Sequence, residues 1–107
     1  MLHAEDVPLP EIAAAVGTPF YVYSTATLLR HFTLFDEALA WGDHLVCYAM
    51  KAASNQAILK TLAQAGAGMD VVSGGEYARA KTAGVPGDRI VFSGVGSTAE
   101  EIPADLT

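Results

Sequence analysis

Lys51 is the residue in this sequence best placed to do chemistry. It closes the run His44-Leu45-Val46-Cys47-Tyr48-Ala49-Met50, which has the composition of a strand buried on both faces. Charged residues seldom stand at the tip of a core strand without a partner. A primary amine in a partly desolvated site loses its proton more readily and becomes a nucleophile able to form a Schiff base with an aldehyde. The competing reading is a lysine whose stem lies along the strand end while its ammonium reaches water. Position alone favours the second reading. Asp70, between Met69 and Val71, is the natural counter-charge if the two strands are neighbours and both side chains face the same way. Otherwise it bonds a loop backbone.

Other reactive types are weaker candidates. Ser73-Gly74-Gly75 and Ser93-Gly94-Val95-Gly96 are glycine-rich turns of the kind that aim N–H groups at anions. Neither has the spacing of a dinucleotide fingerprint or a Walker lysine, so both read as close-packed helix starts. Glu76 serves its own helix cap. Cys47 reads as an inert buried thiol, and His31 and His44 as surface residues. Phe20, Tyr21 and Tyr23 read as core. His3, His31, His44 and Cys47 lack metal-ligand spacing, so no metal site is expected.

These residues need a scaffold, and the local signals supply one. Pro8 to Val16 reads as a short helix stopped by Gly17 and Pro19. Phe20 to Tyr23 reads as a strand. Ser24 or Thr25 caps a helix from about Ala26 to Trp41, with Leu28, Phe32, Phe35 and Leu39 forming one apolar stripe. After the Lys51 strand, Ser54 or Asn55 caps a helix that carries Ile58, Leu59, Leu62 and Ala65 on one face and ends at Gly66. Met69 to Val72 is the next strand. Ser73 to Glu76 has capping-box spacing and opens a helix ending near Ala83, before Gly84 and Pro86. Ile90 to Phe92 is a third strand. Ser97 to Glu100 is a second capping box, opening a last helix. The order β-α-β-α-β-α with short loops implies a parallel sheet with right-handed crossovers.

Composition narrows the class. The chain has 107 residues, 51% hydrophobic and 17% charged, as expected of a globular protein. A net charge of −6 argues against a nucleic-acid partner. No stretch approaches the roughly 18 apolar residues of a membrane span, and the acidic N-terminus lacks the layout of a signal peptide. A lone cysteine points to the cytoplasm. Three βα units do not close a barrel, which needs eight strands and typically ~250 residues. Pro103 also falls inside a helix that has barely begun. A fragment or truncated product is therefore expected.

Four stretches, in order, resemble the diaminopimelate decarboxylase family. They are Gly17 to Tyr23, the lysine motif Tyr48-Ala49-Met50-Lys51-Ala52, Gly68 to Glu76, and Gly84-Val85-Pro86 followed by Ile90 to Gly94. The resemblance runs from about Gly17 to Glu101. It implies an α/β fold, namely the first βα units of an alanine racemase-like TIM barrel that depends on pyridoxal 5'-phosphate. By the same analogy residues 1–25 form an N-terminal segment whose strand joins a β domain, and residues 26–107 form the first part of the cofactor-binding barrel. It implies decarboxylation of meso-2,6-diaminopimelate to L-lysine, with Lys51 carrying the cofactor and Asp70 beside it. Partners would be a small amino-acid substrate and, in the full-length family member, a second subunit of a homodimer. Groups that hold the cofactor phosphate, its ring nitrogen and the far end of the substrate lie further along in that family, so little activity is expected of these residues alone. Ala53 stands where the family usually has asparagine, Ser97 where it usually has lysine, and Pro103 interrupts its helix. Alternatives are a related ornithine, arginine or carboxypolyamine decarboxylase, a non-catalytic cofactor carrier, and a remnant without function.

Overall fold

The structure is a computed structural model that describes residues 1–93. The second capping box and Pro103 lie outside the described residues, as does all but the first residue of Ser93 to Gly96. A small hairpin comes first: β1 (His3–Ala4) pairs antiparallel with β2 (Val7–Pro8) across a turn in which Glu5 has φ +54°. Two-residue strands are too short to show a pattern, so this hairpin was not legible from residue types alone. α1 follows (Leu9–Val16), with Pro8 at its N-cap. α2 (Thr25–Ala38) is capped by Ser24, whose Oγ accepts from Thr27 N–H at 3.1 Å. The same hydroxyl donates to Glu5 Oε2 at 2.8 Å, which ties the hairpin to the start of α2.

The remaining elements alternate as expected: β3 (Cys47–Ala49), α3 (Gln56–Gln64), β4 (Gly68–Val71), α4 (Gly74–Thr82), a 3-10 turn (Gly87–Arg89) and β5 (Ile90–Phe92). The three strands form one parallel sheet in the order β3-β4-β5. Asn55 rather than Ser54 caps α3, accepting from Ala57 N–H at 2.8 Å. Ser73 caps α4 through Glu76 N–H, and the Glu76 carboxylate reaches back to Val72 N–H at 2.8 Å. This is the capping box shifted by one donor. Gly17, Gly66 and Gly84 have φ of +80°, +106° and +92°, so the glycine stops at the ends of α1, α3 and α4 are real.

Alternation along the strands sorts the sheet into two faces. Met69 and Val71 are fully buried, and with Met50 and Ile90 they meet Ile58, Leu59 and Leu62 of α3 and Ala80 of α4. Each of the valine, isoleucine, leucine and methionine side chains among them contributes about 1.5–3 kcal/mol. The opposite face carries Cys47, Ala49, Gly68, Asp70 and Val91, matched across the strands by register. It is only partly covered, with Val91 48% exposed. The expectation that the Lys51 strand is buried on both faces is therefore corrected: β3 is half-buried, packed by helices on one side only.

Three further expectations fail. Phe20–Tyr23 joins no ladder among the described residues, and Tyr21 is 91% and Tyr23 53% exposed, so this group is not core. Aromatic and β-branched composition marks a segment fit for a sheet, but a strand needs a partner to hydrogen-bond. The α2 helix stops at Ala38 instead of Trp41. Its stripe divides, with Leu28 and Phe32 packed on the core and Phe35 58% exposed. Ala65 likewise ends up exposed, as the C-cap of α3.

Candidate active site at the strand tips

Lys51 stands two residues past the end of β3, in a turn closed by Ala52 N–H donating to Ala49 O at 3.1 Å. It is exposed, and its amine has no hydrogen bond or ion pair among the described residues. The turn is anchored to the neighbouring strand, because Met50 N–H donates to Asp70 O at 3.2 Å. Lys51 and Asp70 therefore occupy the same carboxyl end of adjacent parallel strands, where open α/β folds and barrels build their sites.

Ala49 is the register partner of Asp70, so Asp70 points away from the helices. The two predicted site residues share one end of the sheet, but they form no direct ion pair. The Asp70 carboxylate instead accepts a hydrogen bond at Oδ1 from Ser93 Oγ, 2.5 Å away. Ser93 was read only as part of a glycine-rich turn. The register supplies the missing signal: Val91 pairs with Asp70, and Ser93 is the next residue on that face.

Cys47 lies on the same face, two residues before Ala49. Burial first, and then the charge of Asp70, push its thiol above the usual range. It stays protonated and inert at neutral pH, as expected of a thiol away from cations. Gly68 sits opposite Cys47, and no side chain fits there: a Cβ would come within 2.6 Å of Arg89 O and 2.8 Å of Cys47 Sγ. A cavity of about 370 Å³ opens between α2 and β3, lined by Phe32, Phe35 and Val46 among others. It borders the strand rather than its tip. No cluster of metal-ligating side chains exists among the described residues, and no helix among them is long and apolar enough to cross a membrane.

A family model described as the pyridoxal binding domain of pyridoxal-dependent decarboxylase matches residues 25–106. The diaminopimelate decarboxylase of Zymomonas mobilis is 55% identical over 104 residues, covering 94% of this chain and 25% of that protein. The Vibrio cholerae enzyme of the same name is 52% identical over 105 residues, 98% of this chain and 25% of its own length. The crystal structure of Helicobacter pylori diaminopimelate decarboxylase complexed with L-lysine superposes with a TM-score of 0.82 at 44% identity. That match covers 88% of this chain and 24% of the other. The chain thus spans about a quarter of the length of the curated relatives it matches.

The donor set suits the cofactor of that family. An aldehyde needs a free primary amine, and Lys51 offers one without a competing partner. A carboxylate on the adjacent strand end can balance positive charge developing on that nitrogen. With its parallel βα units built as in these relatives, the chain belongs to the pyridoxal-dependent decarboxylases, and it carries the opening units of their alanine racemase-like barrel.

Proposed function

We propose that the chain supplies the lysine-bearing part of a diaminopimelate decarboxylase, which removes CO₂ from meso-2,6-diaminopimelate to leave L-lysine. The observation that carries the proposal is the unpartnered amine of Lys51 just past β3, in a turn whose Met50 N–H donates to the Asp70 carbonyl of the adjacent strand. Identities of 55% and 52% to proteins of that name support this substrate over ornithine or arginine. Bound pyridoxal phosphate supplies an electron sink for the charge left as CO₂ departs. Lys51 is the cofactor's covalent anchor through its Nζ. Asp70 holds the positive charge at that nitrogen. The half-covered sheet face, with Cys47 and Ala49, forms an apolar wall beside the reacting atoms.

The domain layout follows the same reading. Residues 1–25 form an N-terminal segment that lends Phe20–Tyr23 to a β domain, which the exposed, ladderless state of that segment supports. Residues 26–107 form the first part of the cofactor-binding barrel. The assembled enzyme acts as a homodimer on a small amino acid, in the cytoplasm, where a lone unpaired cysteine is at home.

A chimera tests the proposal. The chain replaces the corresponding N-terminal quarter of the Vibrio cholerae relative, and CO₂ release is followed with diaminopimelate, ornithine and arginine. Activity on diaminopimelate alone, abolished by Lys51→Ala, is expected. A folded chimera that binds the cofactor but prefers ornithine, or is indifferent to Lys51→Ala, contradicts it.

A further inference from the structure

The Asp70 carboxylate is held at one oxygen and open at the other. Ser93 Oγ donates to Oδ1, while Oδ2 has no hydrogen-bond partner among the described residues. Ser93 is itself fixed, since its N–H donates to Val71 O at 2.9 Å, the rung that extends the β4–β5 ladder. This chain of contacts passes from β5 to the β4 carboxylate, and from the Asp70 carbonyl to the turn that carries Lys51.

We propose that Ser93 is a positioning residue of the cofactor site. It locks the rotation of the Asp70 carboxylate so that one oxygen stays free for the nitrogen of Lys51. The inference rests on reading Lys51 as the cofactor anchor. Its physical basis is the freedom of a carboxylate at a strand end. The terminal torsion of an aspartate is broad, so an unrestrained carboxylate spreads its charge over many orientations. A hydroxyl donating to a carboxylate forms a charge-assisted bond, stronger than one between neutral groups. Such a bond selects one orientation, and the backbone rung of Ser93 keeps the donor from following the carboxylate. The other polar group on this face, the Cys47 thiol, is a weak donor and has no hydrogen bond to Asp70 among the described residues. Ser93 is thus the side chain that sets the carboxylate.

The test compares the parent protein with Ser93→Thr and Ser93→Val, which have nearly the same shape and differ in the hydroxyl. Each is loaded with pyridoxal phosphate. Three quantities are read: the visible circular dichroism of the bound cofactor, the cofactor dissociation constant, and the thermal midpoint. Ser93→Thr should match the parent in the first two. Ser93→Val should lose most of the visible dichroism and bind the cofactor about five- to tenfold more weakly, the worth of one hydrogen bond. Asp70→Asn should weaken the signal in the same sense, and Ser93→Ala serves as a second hydroxyl-free variant. A Lys51 adduct that forms equally in all variants, with Thr and Val indistinguishable, overturns the role of Ser93 and leaves Lys51 standing. Absence of any Lys51 adduct in a folded parent overturns both readings at once.

Discussion

His44 shows how much a single side chain can depend on its neighbours. Its Nδ1 lies 3.0 Å from Gly42 O and its Nε2 lies 2.8 Å from Asp36 Oδ1. Both partners are acceptors, so satisfying both requires a proton on each ring nitrogen. The Gly42 carbonyl first, and then the Asp36 carboxylate, raise the imidazole above its ordinary value, against a smaller opposing effect of burial. Asp36, in the last turn of α2, is the charged group that faces the ring. The sign follows from linkage. A raised folded-state value means that the contribution is fully present below about pH 6.5, the unfolded value, and is lost as pH rises through the folded value. Urea unfolding at a series of pH values should show this loss in the parent. Asp36→Asn should shrink it, and His44→Gln should remove it. A pH dependence that persists unchanged in His44→Gln contradicts the clasp. The sequence read His44 correctly as a surface residue. The clasp was illegible because it depends on how the chain between Asp36 and His44 folds back after α2.

The elements differ in how far they could be read. Helix starts were legible, as were the glycine stops of α1, α3 and α4, because they are decided locally. Ser24, Asn55 and Ser73 each cap within three residues, and Gly17, Gly66 and Gly84 each take the backbone where other residues are strained. Burial was not local. Phe20–Tyr23 has strand composition but finds no ladder among the described residues, and Phe35 continues the α2 stripe beyond the surface that α3 covers. Gly68 belongs between these cases. It opens β4 without any turn signal, and what it avoids is contact with Arg89 and Cys47 on neighbouring segments. Gly68→Ala should therefore destabilise the protein by about 1–3 kcal/mol, as overpacking does, measured by denaturant unfolding. Adding Cys47→Ala should recover only part of that loss, because the approach to the Arg89 backbone oxygen remains. Full recovery in the double variant contradicts this view of β4.

At the scale of the molecule, three parallel strands and the two helices between them place Lys51, Asp70 and Ser93 at one end of a sheet whose helix-free face is half-covered. Parallel sheets are ordinarily covered on both faces, and the curated relatives are about four times longer than this chain. The strand-end position of Lys51 was legible, because a charge at the end of an apolar run before a helix signal is a local pattern. The site's internal wiring was not, because the Ser93–Asp70 bond depends on β4–β5 register and the separation of Lys51 from Asp70 depends on the turn after Ala49. Everything functional rests on Lys51 as the cofactor anchor, and the chain offers internal controls in Lys60 and Lys81. The direct measurement is to incubate the purified protein with stoichiometric pyridoxal phosphate, reduce with borohydride, digest, and map the pyridoxyl group by mass spectrometry. A single adduct on Lys51, absent in Lys51→Arg, is the expected result. An adduct spread over Lys60, Lys81 and the N-terminal amine, or none in a folded sample, contradicts it.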